Sequence, residues 1–207
     1  MNLAKRLDTS DAYLGTAMNV IMTRLKAEGK DVINLGLGDP DVIPTESARK
    51  ILADACYSTD SHHYPSFYSP APLKEAIANW YIKRFGVSCD PEKEILPLLG
   101  SADGVFHIHN CLLDPGDIAL IPDPCYPAYV ASARIAGGII EKVPLLKQNG
   151  FLPDLDAIPA DIARKAKMIW VNYPNNPTAA EADLDFYKKL VDWAQKYDVA
   201  VISDNPY

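Results

Sequence analysis

The chain has 207 residues, 48% of them hydrophobic and 23% charged, which suits a soluble globular domain with a sizeable core and excludes a disordered or fibrous protein. Its net charge of -7 is the wrong sign for a broad face that binds phosphate backbones. The N-terminal stretch "MNLAKRLDTSDAYLG" lacks a continuous apolar region and no segment approaches the roughly 18 apolar residues of a membrane span, so a cytoplasmic protein with neither nucleic-acid nor membrane partner is expected.

In chain order, the near-helical spacing of Tyr13, Leu14, Met18, Ile21, Met22 and Leu25 predicts a short N-terminal helix or arm over 11–28. "DVINLGLGDPDVIPT" (31–45) reads as a short strand passing into an ordered loop, and Thr45 or Glu46 opens a helix to about Tyr57. After the loop "STDSHHYPSFYSPAP", the set Leu73, Ile77, Trp80, Tyr81 and Phe85 predicts a helix with one face on a core, ending at Gly86.

A regular alternation follows: strand 94–99, helix 102–113, strand 118–122, helix 126–136, strand 139–145, strand 167–173, helix 182–197 and strand "VAVIS". Such alternation predicts an α/β fold built on an open, mostly parallel sheet. Ligands of open α/β sheets bind beyond the carboxyl ends of the strands. "GSAD" (100–103), "PDPCYPAY" (122–129), "YPNNPT" (173–178) and "SDNPY" (203–207) all stand at such ends.

Each cluster has a chemical reading and a plain one. Gly100-Ser101 between strand and helix could hold an anion on free N–H groups, although Ser101 as an ordinary N-cap is the more economical reading. Asp103 in the same turn would repel a phosphate unless it points outward. Tyr126, held between prolines, suits stacking on a flat ligand or a core position equally. The asparagines of "YPNNPT" have no packing rationale, and Asn176-Pro177 is a candidate cis bond. Asp204 follows an apolar run, where a lone carboxylate needs a cation or donors.

Cys56, Cys89, Cys111 and Cys125 are scattered without C-x-x-C, and the histidines add no metal-finger spacing, so reduced thiols and no metal are expected.

The ordered set "INLGLGDPD", "YPSFYSPAPLKEAI", "LLGSADG", "LLDPGDIALIPDPCYPAY", "VNYPNNPT" and "VISDNPY" resembles the fold-type I, pyridoxal-phosphate-dependent aminotransferases of classes I and II. "HHYPSFYSP", "LLGSADGVFHIHNCLLDPGD" and "PDPCYPAY" are closest in wording to the LL-diaminopimelate aminotransferase branch. The resemblance implies a three-layer fold, with 1–45 as an N-terminal arm and part of a small domain and 46–207 as the N-terminal portion of the cofactor-binding large domain. It also implies ping-pong transfer of an amino group from an amino acid to a 2-oxo acid, as between LL-diaminopimelate and 2-oxoglutarate.

By the same resemblance, Asp204 matches the partner of the cofactor's pyridine nitrogen, and Asn176 and Tyr207 the donors to its ring oxygen. Tyr126 matches the stacking ring, and Ser101, Ala102 and Asp103 the phosphate-holding turn. Tyr64, nine residues before Leu73, matches the tyrosine that reaches the other subunit's cofactor, which implies a homodimer with shared sites. Gly38 and Asn176 match positions near the substrate.

The chain departs from the family pattern in Ala179 after "PNNPT" where glycine is usual, in Ser69 near a usual glycine, and in Pro206. The Schiff-base lysine and the carboxylate-gripping arginine of the family lie beyond the aspartate–tyrosine motif. Lys167, Lys188 and Lys189 match no Schiff-base motif. The chain therefore reads as the N-terminal half of such an enzyme, with no catalytic residue of its own and no turnover alone. A β-lyase or cyclopropane-forming synthase on the same scaffold, or a truncated non-enzymatic binding protein, stays open. A nicotinamide dehydrogenase is disfavoured, because no G-x-G-x-x-G follows the first strand.

Overall fold

The computed structural model describes residues 4, 14–36, 38, 40, 42–64 and 70–207. From Leu14 onward the chain forms two compact units, Leu14–Leu98 and Leu99–Tyr207.

The first unit is helical. It holds α1 (Leu14–Ala27), α2 (Glu46–Cys56), a 3-10 turn at Thr59–His62, and α3 (Ala71–Phe85). Thr45 caps α2 by accepting a hydrogen bond from the Ala48 N–H at 3.4 Å, and α3 stops where Gly86 turns left-handed at φ 69°. The buried Lys74 of α3 meets Glu92 at 2.8 Å, which ties the turn after the helix back onto it.

Three expectations fail in this unit. The strands expected at 31–35 and 94–99 are irregular, with Ile33, Leu35 and Leu96 exposed. An apolar run becomes a strand only when a neighbour accepts its backbone groups, and none does so among the described residues. The apolar face of α3 is not seated on a core either. Only Lys74 and Ala78 are buried, while Leu73, Trp80, Tyr81 and Phe85 stay exposed, with Trp80 edge to face against both Tyr81 and Phe85.

The second unit is the α/β body. It runs α4 (Ser101–Leu112), β1 (Ile118–Asp123), α5 (Pro127–Ile135), β2 (Ile139–Pro144), the short α6 (Ala160–Ala163), β3 (Ala166–Asn172), α7 (Leu184–Tyr197) and β4 (Ala200–Asp204). All pairings are parallel, in the order β2-β1-β3-β4.

Strand periodicity splits the core into two layers. Ile118, Leu120, Ile169 and Val171 point to the face covered by Phe186, Leu190, Trp193 and Ala194 of α7, one stripe of an amphipathic helix. Ala119, Ile121, Met168 and Trp170 point to the other face, against Val105 of α4 and Tyr129 and Ala133 of α5. The sheet is thus sandwiched between helices, and β1 and β3 are buried almost throughout, as central parallel strands should be.

This order creates a switch point. From β1 the chain goes outward to β2, then returns across to β3 on the other side, so a crevice opens beyond the carboxyl ends of β1 and β3.

Candidate functional site

A cavity of about 160 Å³ lies at that crevice, lined by Ser101, Tyr126, Tyr129, Asn172, Asn176, Asp204, Pro206 and Tyr207. Five of these, Ser101, Tyr126, Asn176, Asp204 and Tyr207, are residues singled out from the sequence, delivered by the start of α4 and by the segments at the ends of β1, β3 and β4. A larger cleft of about 840 Å³, between the 149–156 loop and α7, is rimmed by Asp154, Asp156, Asp183, Asp185 and Asp192 and gathers none of them.

At the floor stands Asp204, the last residue of β4. One of its oxygens, Oδ2, accepts a hydrogen bond from the Tyr129 hydroxyl at 2.5 Å, while Oδ1 has no partner among the described residues. Tyr129 is fully buried, and burial above all, with the Asp204 bond second, pushes its pKa well above the ordinary phenol range, so the hydroxyl remains a donor.

Asn172, at the end of β3, connects two parts of the rim. Its amide donates to the Asp204 carbonyl at 2.8 Å, and its Oδ1 accepts the Asn176 N–H at 2.7 Å. The loop beyond is folded on itself by the buried Asn175, whose Oδ1 accepts from both the N–H and the hydroxyl of Thr178. The Asn176–Pro177 bond is cis, as its sequence suggested, and so are Tyr173–Pro174 and Asp123–Pro124. The Asn176 side chain is left half-buried at the cavity wall, with no hydrogen-bond partner among the described residues.

The start of α4 resolves two questions the sequence left open. Gly100, at φ 94°, is the residue before the helix, and Ser101 is its first residue, so Ser101 is not the N-cap that the economical reading expected. No side chain among the described residues caps this end, which leaves the N–H groups of Ser101 and Ala102 uncapped, and Ser101 lines the cavity. The positive φ of Gly100, open to glycine at no steric cost, lets the chain enter the helix with those groups exposed. Asp103 turns along the helix to meet His107 Nε2 at 3.1 Å, and it does not line the cavity. Its carboxylate is thereby held off any anion at the helix end.

Tyr126 precedes α5 and presents a half-buried ring, edge-on to Tyr129 with centroids 5.6 Å apart. Next to it, burial and the nearby Asp123 raise the Cys125 thiol to about 11, so it stays protonated and inert. All four cysteines are free. Tyr207 stands exposed at the rim. No lysine among the described residues lines the cavity.

Gly38 and Tyr64 belong to the helical unit, where both are exposed. Ser69, Leu37, Asp39 and Asp41 lie outside the described residues.

Sequence reasoning missed Tyr129 and Asn172. Tyr129 sits three residues after Tyr126, one helical turn apart, a spacing that could have paired them. Asn172 stands in the quoted "VNYPNNPT", at the strand end. The buried chain of contacts behind Tyr129, through Trp170 and His109, left no sequence signal, because it joins residues 23 and 61 positions apart.

A parallel α/β sheet with a carboxylate, an aromatic ring, amide and phenol donors and an uncapped helix start at its switch point defines a cofactor-binding α/β enzyme scaffold. Residues 30–207 match the family model described as aminotransferase class I and II, and the chain belongs to that family of pyridoxal-phosphate enzymes. It is 49% identical over 98% of its length to an LL-diaminopimelate aminotransferase of Aquifex aeolicus, and 45% identical over all of it to one of Dehalococcoides mccartyi. It spans about half the length of these curated relatives, 52% and 53% respectively.

Among solved structures, substrate-bound BacF from Bacillus subtilis superposes with a TM-score of 0.93 at 34% identity, covering 99% of this chain and 52% of that one. A single mutant of aspartate aminotransferase from Thermus thermophilus gives 0.92 at 28% identity, covering all of this chain and 54% of that one.

Proposed function

We propose that these residues form the cofactor-facing half of a pyridoxal-phosphate aminotransferase that moves an amino group from LL-diaminopimelate to 2-oxoglutarate. The observation that carries this reading is the convergence of Asp204, Tyr126, Asn176, Ser101 and Tyr207 on one cavity, in a chain of this family. The choice of substrate rests on the names of its relatives.

The donor set fits the cofactor in chemical kind. A carboxylate suits a protonated ring nitrogen, an aromatic face a flat ring, an amide and a phenol a ring oxygen, and an uncapped helix start a phosphate. When bound, pyridoxal phosphate supplies an electron sink for charge developing at the amino-acid Cα.

The residues of this chain do the holding. Asp204 keeps a proton on the ring nitrogen. Tyr126 orients the ring by covering one face, the Asn176 amide and the Tyr207 hydroxyl donate to the ring oxygen, and the first turn of α4 at Ser101 and Ala102 accepts the phosphate through its N–H groups. Asp103 serves that turn only by staying paired with His107. Gly38 and Asn176 face the substrate, and Tyr64 reaches the site of a second copy, so the working form is a homodimer. In this reading, residues 1–45 are arm and small domain and 46–207 are large domain.

No lysine of this chain matches the Schiff-base position, so the 207 residues alone are inactive. The test is an assay of the protein carried to its relatives' length with LL-diaminopimelate and 2-oxoglutarate. Glutamate formation supports the reading. Release of ammonia or of a cyclised product, without glutamate, places the chain with the lyases or synthases of the same scaffold and overturns it.

A further inference from the structure

The Tyr129 hydroxyl is part of a buried chain of contacts that crosses four elements and ends on Asp204. Tyr129 lies on α5 and is fully buried, its ring stacked on Trp170 of β3 with centroids 4.2 Å apart and planes 15° from parallel. The Trp170 indole, which can only donate, gives its Nε1–H to His109 Nε2 at 3.0 Å. That contact fixes the His109 tautomer, because Nε2 must carry no proton and Nδ1 must carry it.

The Nδ1–H faces the Val105 carbonyl at 2.8 Å and the Ser132 oxygen at 2.9 Å. Ser132 in turn donates to the Ala128 carbonyl at 2.6 Å, one turn back along the helix that carries Tyr129. The circuit is closed: α4, β3 and α5 lock each other, and no buried side-chain polar atom among the described residues lacks a partner. Only the Tyr129 hydroxyl leaves the circuit, and it goes to Asp204.

A carboxylate at a strand end can rotate about its last torsion. Here one oxygen is fastened to a phenol that is itself clamped in the core, so the other oxygen has a fixed direction at the cavity. We propose that Tyr129 is a positioning residue for Asp204, holding Oδ2 so that Oδ1 is presented to the ring nitrogen of the bound cofactor. This rests on the cofactor reading above. It adds that the carboxylate acts through an orientation set by α5, beyond what its own strand provides. Exact placement matters because hydrogen bonding to a charged ring nitrogen weakens steeply off axis.

The test is Tyr129→Phe in the protein at its relatives' length, with the melting curve confirming the fold. A titration with pyridoxal phosphate should show about tenfold weaker binding. The nitrogen-15 shift of ring-labelled cofactor should move from the protonated toward the unprotonated range. With substrates, kcat should fall while KM for the amino donor stays within about twofold, since Asp204 faces the cofactor and not the substrate.

Unchanged affinity and an unchanged nitrogen shift, in a wild type that binds the cofactor, overturn the positioning role and leave the functional reading standing. A wild type that does not bind pyridoxal phosphate overturns both. Should Tyr129→Phe fail to fold, 3-fluorotyrosine at position 129 keeps ring and hydroxyl but makes a stronger donor, and the nitrogen shift should again move. A shift identical to wild type there refutes the proposal.

Discussion

Asn172 shows how one side chain can hold two halves of a site together. Its amide bonds the Asp204 carbonyl and its oxygen takes the Asn176 N–H, so truncation removes a partner from both at a buried position. Asn172→Ala should destabilise the fold by about 1–3 kcal/mol, the range for leaving buried polar groups unsatisfied, as read from urea unfolding. Restoring the contact geometry is not open to Asn172→Asp, which keeps the acceptor but loses the donor.

At the same scale, His109 makes the core sensitive to acid. Burial above all holds its pKa below the ordinary histidine value, against the opposing Val105 carbonyl, and a proton on Nε2 would face the Trp170 N–H donor to donor. The sign follows from linkage. The unfolded chain binds this proton at higher pH than the folded one, so the stabilisation is complete above about pH 6.5 and falls away as pH drops below it. His109→Gln offers an acceptor and a donor without titrating. Its melting temperature should therefore fall less than that of the wild type between pH 7 and pH 5, and an identical fall in both would exclude His109 as the source.

Among the elements, the parts legible in the sequence are those whose signal is local. The strands around Leu120 and Ile169 announce themselves as apolar runs bounded by turns, and α7 as a helical run over 182–197 whose Leu190 and Trp193 fall on the buried stripe. The polar clusters at strand ends could be placed on one rim from topology alone. What could not be read is what depends on a partner surface. "EILPLL" and the start of "DVINLGLG" carry strand composition but no strand beside them among the described residues, and the aromatic face of α3 carries helix periodicity without burial. Tyr129 and Asn172 escaped because their role is a contact across 75 and 32 residues of chain, which no spacing rule reaches.

Two substitutions test the elements. Leu190→Ala removes a fully buried anchor of α7 from the sheet and should lower stability by about 2–5 kcal/mol. Ala179, where the family pattern has glycine, has φ 58°, a left-handed conformation that costs an alanine. Ala179→Gly relieves a strain of about 1–2 kcal/mol while adding unfolded-state entropy of about half that, and should raise stability by up to about 1 kcal/mol.

Across the whole molecule, the apolar core is concentrated in Leu99–Tyr207, whereas α2 buries no residue at all. No helix among the described residues is long and apolar enough to cross a membrane. The chain corresponds to about half the length of its relatives, and within that half the rim at the switch point collects the groups suited to a charged, flat, phosphorylated ring.

The claim that Asp204 and its neighbours hold pyridoxal phosphate is tested most directly by titrating the cofactor into the protein at its relatives' length, wild type against Asp204→Asn. The wild type should bind with a change in the cofactor's absorbance, and Asp204→Asn, which replaces the carboxylate by a neutral amide of the same size, should bind at least tenfold more weakly and lose transamination. Equal affinity and equal activity in the two proteins would contradict the account.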